Sequence, residues 1–160
     1  MGNESRQLPT GLSRLFLRAP VYLYKARLGW VLGGRFLLLH HVGRRSGLPR
    51  ETVIEVVRHD PATNAYVICS GFGEKAQWFQ NIVAQPDLRI QVGNMELAVH
   101  AERPTPDQAA FEMLDYARRH PRAAKKLAGY MGFSSDGSEA TYKRIGREMP
   151  FLRLRPRHRP

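Results

Sequence analysis

The sequence predicts an α+β chain, mainly β, built as a β-barrel with flanking helices. Three features carry that expectation. Apolar or β-branched runs recur over 36–42, 52–58 and 65–70, separated by turn-forming residues. A two-residue alternation follows Gly93-Asn94, with Met95, Leu97, Val99 and Ala101 set against Glu96, His100 and Glu102. Helical signatures are confined to an N-terminal segment, one short insertion and a block after residue 105. Antiparallel strands with few crossover helices suggest a barrel whose ends are covered by helices.

Taken in order, residues 1–10 are polar and expected to be disordered. Over 11–32, Leu12, Leu15, Phe16, Ala19, Leu23, Leu28 and Val31 recur at helical spacing, with Arg14, Arg18, Lys25 and Arg27 between them. Pro20 breaks the segment into two short helices. Such a basic amphipathic segment either packs on the domain or lies on an anionic membrane surface. Phe36–Val42 is a nearly continuous apolar run and a buried strand. Thr52–Arg58, with Val53, Ile54, Val56 and Val57, is the second strand, and Ala65–Ser70 the third. The turn Asp60-Pro61-Ala62-Thr63-Asn64 joins them, so the three are expected to form an antiparallel meander. Ala76–Ala84 is a short helix ended by Pro86. Leu88–Val92 and Met95–Arg103 form a hairpin. Thr105 N-caps a helix with Pro106 at its first position, reaching about Arg119. Helices at 121–129 and 138–148 follow, and Phe151–Arg155 is a last strand. The expected organisation is one domain over 11–155 and a basic tail at 156–160.

Composition narrows the function classes. The 160 residues carry a net charge of +11, basic at both ends and mildly acidic between. That field favours an anionic partner: a charged cofactor, a membrane surface or nucleic acid. Nucleic acid ranks last, because no recognised nucleic-acid motif is present and the charge gathers at the termini. The single cysteine, Cys69, excludes an intrachain disulfide framework and a multi-cysteine metal site. A reducing, cytoplasmic compartment is the simplest expectation. No secretory signal pattern and no membrane-spanning apolar run is visible.

Two segments can carry chemistry. The first is Gly43-Arg44-Arg45-Ser46-Gly47-Leu48-Pro49-Arg50, between two strands. Two glycines permit a tight turn. Arg44, Arg45 and Arg50 offer guanidinium groups matched to phosphate or carboxylate oxygens, and Ser46 adds a hydroxyl. Free backbone N–H groups of a Gly-rich turn add to an anion-binding concavity. A solvated hairpin tip explains the same composition equally well. The second is Ser70–Asn81, a loop leaving a strand and entering a helix whose N-terminus attracts negative charge. Here Lys75 supplies a point charge, Trp78 a flat apolar face and Asn81 a complementary amide. Trp78 and Ile82 share one helix face, Gln77 and Asn81 an adjacent one.

Other patterns carry less. His40 and His41 are adjacent in a strand and point to opposite faces, so they do not form a metal pair. No metal-ligand spacing, nucleophile elbow, P-loop or Rossmann glycine pattern occurs. Cys69 sits in an apolar strand and reads as an inert buried thiol. Tyr22, Tyr24, Tyr116, Tyr130 and Tyr142 are possible hydroxyl donors among which spacing does not choose.

The run Leu37–Arg50, followed by Trp78-Phe79-Gln80-Asn81 and Ala84-Gln85-Pro86, resembles the deazaflavin-dependent nitroreductase and quinone reductase family. The likeness is strongest over roughly 35–103. It implies a split β-barrel of the FMN-binding type and a reductase using coenzyme F420, a 5-deazaflavin carrying a phosphate and an oligoglutamate tail. It places Arg44, Arg45, Ser46, Gly47 and Arg50 on the phosphate-binding turn, with Gly43 and Thr52 beside it. It places Ser70, Gly71, Phe72, Gly73, Lys75, Trp78 and Asn81 near the ring and its polar side chain. Tyr130 and Tyr142 are the candidate proton donors. The cofactor carries the difficult chemistry, so no catalytic triad or metal is required. The implied partner is a small hydride acceptor: a quinone, a nitro compound or an activated alkene. A homodimer and peripheral contact with the inner face of the membrane are further implications. The alternative is a non-catalytic split-barrel protein that binds FMN, another flavin or a fatty acid at the membrane surface. The chain departs from many relatives at His40-His41, where they have threonines, and at Val53-Ile54. Glu51 also sets a carboxylate beside the turn.

Overall fold

The computed structural model describes residues 33–71, 73–130, 132–133 and 136–158, with only the backbone of Tyr130. The expected disorder over 1–10, the helices over 11–32 and the site residue Phe72 lie outside the described residues. Seven strands form one antiparallel sheet in the order β2-β1-β5-β6-β7-β4-β3. They are β1 (Phe36–Val42), β2 (Pro49–Glu55), β3 (Arg58–Asp60), β4 (Ala65–Cys69), β5 (Asp87–Val92), β6 (Met95–Glu102) and β7 (Phe151–Pro156). The described helices are α1 (Gln77–Ala84), α2 (Pro106–Arg119), α3 (Pro121–Tyr130) and α4 (Glu139–Glu148).

Chain connectivity curls this sheet. β2 and β3 are its two edges, yet Glu55 and Arg58 are only three residues apart, a span of at most about 11 Å. Seven flat strands would separate the edges by about 29 Å. The two linking residues bond to opposite sides. Val56 N–H donates to Arg35 O at 2.8 Å, and Val57 N–H to Val67 O at 2.8 Å. One bent segment therefore touches both ends of the sheet.

This corrects two expectations. The second strand starts at Pro49 rather than Thr52 and ends at Glu55, and Arg58 opens a separate strand. The three-strand meander does not form, because β4 pairs with β3 and β7 and never with β2. The β-branched run at 52–58 disguised the bend, since Val56 and Val57 favour extended backbone on either side of it. The basic tail also begins later than expected. Pro156 closes β7, Arg157 N–H donates to Ala98 O at 2.8 Å, and Arg155 pairs with Glu102.

The curled sheet has two cores. Leu37, Leu39, Ile68, Ile90 and Leu154 fill its concave interior, each fully buried. Burial of one such side chain stabilises by about 2 kcal/mol. Helix α1 inserts Phe79 and Ile82 into this interior. On the other face, Val67 and Phe151 meet Met113 of α2, Ala124 of α3 and Ile145 of α4. β4 accordingly reads apolar throughout: Tyr66 and Ile68 face the interior, Val67 and Cys69 the helices.

The helix layer is tied to the sheet by one charged pair. Arg58 grips the buried Glu112 of α2 through two bonds, Nε to Oε2 at 2.8 Å and Nη2 to Oε1 at 2.7 Å. Glu112→Ala leaves Arg58 half-buried without its carboxylate and is expected to cost about 2 kcal/mol, below a fully buried pair because Arg58 still reaches water. Chemical denaturation checks this. Thr105 caps α2 as expected, in a capping box with Gln108.

Candidate functional site

The turn between β1 and β2 runs from Gly43 to Leu48, closed by the pairing of Val42 with Pro49. Gly43 N–H donates to Leu48 O at 2.9 Å and Gly47 N–H to Gly43 O at 2.8 Å. Gly47 sits at φ +68°, a left-handed conformation that favours glycine. Ser46 Oγ accepts from Leu48 N–H at 3.3 Å and packs on Gly43, where a Cβ would lie only 2.5 Å from that oxygen. Ser46 therefore shapes the turn. Three of the turn's amides, those of Gly43, Gly47 and Leu48, are spent internally and that of Arg44 goes to Asn81, so the expected row of free donors contracts to the N–H groups of Arg45 and Ser46.

The turn docks on α1. Arg44 N–H donates to Asn81 Oδ1 at 3.1 Å, and Arg44 Nη1 donates to Asn81 Oδ1 at 3.0 Å and to Gln77 Oε1 at 2.9 Å. The i, i+4 pair Gln77 and Asn81 thus faces the turn, while Phe79 and Ile82 are buried below. Trp78 is half-buried against the interior core and edge-on to Phe79. Beneath, Asn81 Nδ2 meets His41 Nδ1 at 3.2 Å, and His41 Nε2 meets Thr52 Oγ1 at 3.1 Å. One network joins Gln77, Arg44, Asn81, His41 and Thr52 across helix, turn and two strands.

His41 is the residue that sequence reasoning missed. Burial, then the charges of Arg50 and His40, lowers its pKa from 6.5 to about 4. The unfolded chain takes up this proton as pH falls through 6.5, and the folded chain only near 4. Stability is therefore complete above pH 6.5 and declines between 6.5 and 4. Urea midpoints across that window should fall less steeply for His41→Leu than for the native chain.

The strand register separates the nearby charges. Leu39 pairs with Thr52 and His41 with Arg50, so these four share the interior-facing side. His40 pairs with Glu51 on the opposite side, where their side chains approach to 3.4 Å. The carboxylate of Glu51 is therefore turned away from Arg50. Of the twelve described arginines outside the turn, ten have carboxylate partners, and Arg122 and Arg144 have none among the described residues. Arg44, Arg45 and Arg50 have none among the described residues. Arg45 and Arg50 are exposed.

The second predicted segment is more divided. Ser70 is fully buried, and its Oγ donates to Gly73 O at 2.7 Å, locking the loop rather than facing a ligand. Gly73 adopts φ +76°, and Lys75 is exposed at the end of a short 3-10 turn before α1. No side chain caps the α1 N-terminus. Gly71 lines a mostly apolar cavity of about 200 Å³ with Ile54, Glu55, Cys69, Met113, Tyr116 and Leu127. Burial pushes the Cys69 thiol far up and raises the Tyr116 phenol. Tyr142 belongs to the same helix-side core as Tyr116 but does not line this cavity. A larger cleft of about 360 Å³ lies beside Arg58, Glu112 and Arg153, but those charges are already paired with one another or with Asp60. Among the described residues no cluster of His, Cys, Asp or Glu is placed to hold a metal ion.

A curled antiparallel sheet with helices packed on one face defines a split-barrel fold, and the cationic turn docked on α1 is its candidate anion site. The fold is shared with an F420-H2-dependent reductase, FDR-A, at TM-score 0.53 and 17% identity, covering 75% of this chain and 93% of that one. It is shared too with an FMN-binding protein of Nostoc punctiforme related to pyridoxamine 5'-phosphate oxidase, at TM-score 0.50 and 14% identity over 94% and 82%. The chain belongs to the F420H(2)-dependent quinone reductase family, whose model matches residues 18–135. It is 31% identical over 123 residues to Rv3178 of Mycobacterium tuberculosis, named as a candidate F420H(2)-dependent quinone reductase, covering 76% of this chain and 89% of that one. It is thus an F420-dependent reductase, and coenzyme F420 is its cofactor. No helix among the described residues is long and apolar enough to cross a membrane.

Proposed function

We propose that this chain transfers a hydride from reduced coenzyme F420 to a quinone. The observation that carries the proposal is the Gly43–Leu48 turn, docked on α1 with guanidinium charges that no carboxylate among the described residues neutralises. That donor set fits a phosphate and a tail of carboxylates. Arg45, Arg50 and the Arg45 and Ser46 amides would hold the phosphate and tail, while Arg44 fixes the turn to the helix. Lys75, Gly73 and Trp78 would border the deazaflavin ring. When bound, the reduced coenzyme supplies a hydride. The protein's part is to bind, orient and keep water from the acceptor.

The cavity beside Gly71 favours a quinone over a nitro compound or an enone. Apart from the exposed Glu55 its lining is apolar, suiting a flat, weakly hydrated ring. Tyr116 borders it, and its hydroxyl has no hydrogen-bond partner among the described residues. A phenol is protonated at neutral pH and burial raises its pKa further, so it can donate to a quinone oxygen. Anaerobic oxidation of reduced F420 by a naphthoquinone, a nitroaromatic and a cyclic enone tests the reading. The quinone should turn over fastest, and Tyr116→Phe should slow it by about 100-fold or more, the usual worth of a general acid. A nitroaromatic or enone outrunning the quinone would contradict the acceptor assignment. Failure with all three would remove the proposal itself.

A further inference from the structure

We infer that His41 is a positioning residue: as a neutral imidazole it orients the Asn81 amide that fastens the anion-binding turn to α1. The inference rests on the reading of that turn as the coenzyme's seat. Asn81 Oδ1 is committed to two donors of Arg44, the backbone N–H and Nη1. Its other end, Nδ2, carries only donors and faces His41 Nδ1 at 3.2 Å. Nδ1 must then offer a lone pair, which places the imidazole proton on Nε2, donating to Thr52 Oγ1 at 3.1 Å.

This arrangement leaves Asn81 one orientation. Rotating its amide would set Oδ1 against the Nδ1 lone pair and Nδ2 against two Arg44 donors. The network is buried at its centre, where unmatched donors and acceptors are costly. The residues around His41 reinforce the neutral form. Arg50 on β2, His40 on β1 and Arg44 on the turn present positive or titratable groups, whereas α1 presents only the amides of Gln77 and Asn81. Thr52, expected as a direct cofactor contact, acts here through His41. The positional consequence is that Arg44 keeps its place, and the exposed Arg45 beside it inherits that place.

Two readouts test this. In the cofactor-free protein, amide hydrogen exchange of Arg44 reports the bond to Asn81. In the presence of F420, fluorescence titration reports affinity. His41→Leu removes the Nδ1 acceptor while filling the space. It should accelerate Arg44 exchange and weaken F420 binding, each by about tenfold, while amides of the β5–β6 hairpin keep their protection. His41→Asn, whose side-chain oxygen takes the place of Nδ1, should recover both to within about threefold. Turnover at saturating coenzyme should stay near the native value, the loss showing in KM. If the leucine chain does not fold, His41→Gln, which lacks an acceptor at the δ position, serves in its place. Unchanged Arg44 exchange overturns the inference whatever the affinity does. Accelerated exchange with unchanged affinity overturns it also. If the native chain binds no F420, the cofactor reading fails, and the exchange measurement alone then decides the role of His41.

Discussion

Arg45→Ala combined with Arg50→Ala is expected to weaken coenzyme F420 binding by about 100- to 1,000-fold. Each substitution removes a charge-assisted hydrogen bond to phosphate or carboxylate, worth about 1.5–3 kcal/mol. The lower end of the sum applies, since both side chains are exposed and screened by salt. Native affinity should fall as ionic strength rises, and the double variant should lose most of that dependence. Neither arginine has a carboxylate partner among the described residues, so the melting temperature should hardly move. Loss of affinity without loss of stability is the signature of a binding group. Parallel losses of both would return these arginines to a structural role. Arg44 differs, because its bonds to Gln77 and Asn81 make it part of the support as well as the charge.

Gly146→Val is expected to destabilise the fold by about 3 kcal/mol or more. A Cβ at Gly146 would lie 2.6 Å from Ala109 O, 2.8 Å from Ala110 Cα and 2.8 Å from Met113 Cβ. Two of these atoms are backbone and cannot rotate away. The glycine is what lets α4 cross α2 so closely, with Ala109 and Ala110 beneath it. Helix propensity, which disfavours glycine by about 1 kcal/mol against alanine, acts in the opposite direction and loses. For a chain of this size the melting temperature should drop by about 6–12 °C. Because α2 also supplies Met113 and Tyr116 to the apolar cavity, KM for the acceptor should rise more than KM for the coenzyme. A variant as stable as the native chain would mean that the two helices can separate without cost.

Much of this arrangement was legible in the residues. The strands at 36–42, 65–69, 87–92 and 95–102 follow from short-range apolar patterning, and α2 from Thr105, Pro106 and Gln108. Gln77 and Asn81 could be placed together because their spacing of four is fixed by helical geometry alone. The pairing of distant strands was not legible. β2 runs to one edge and β3 to the other because the chain bends at Val56–Val57, and no turn residue marks that bend. His41 was dismissed for a sound reason, as half of a metal pair on opposite faces. Its role needed the partner 40 residues away, across a helix that sequence spacing alone cannot dock. The signal that existed was a polar residue on the interior-facing side of an otherwise apolar strand. Ser70 shows the reverse: a hydroxyl in the expected place, but spent on its own loop. Tyrosines are numerous, and only tertiary packing distinguishes Tyr116, which lines the cavity, from Tyr142, which shares its helix-side core without reaching the lining.

The central claim is that the Gly43–Leu48 turn holds the anionic part of the coenzyme. Its most direct test compares, by fluorescence titration, whole coenzyme F420 with its deazaflavin core lacking phosphate and oligoglutamate. The account predicts that the core binds about 100-fold more weakly or worse, and that Arg45→Ala with Arg50→Ala weakens the whole coenzyme while leaving the core's affinity unchanged. Equal affinity for both ligands, or a variant that loses both in the same proportion, would contradict it.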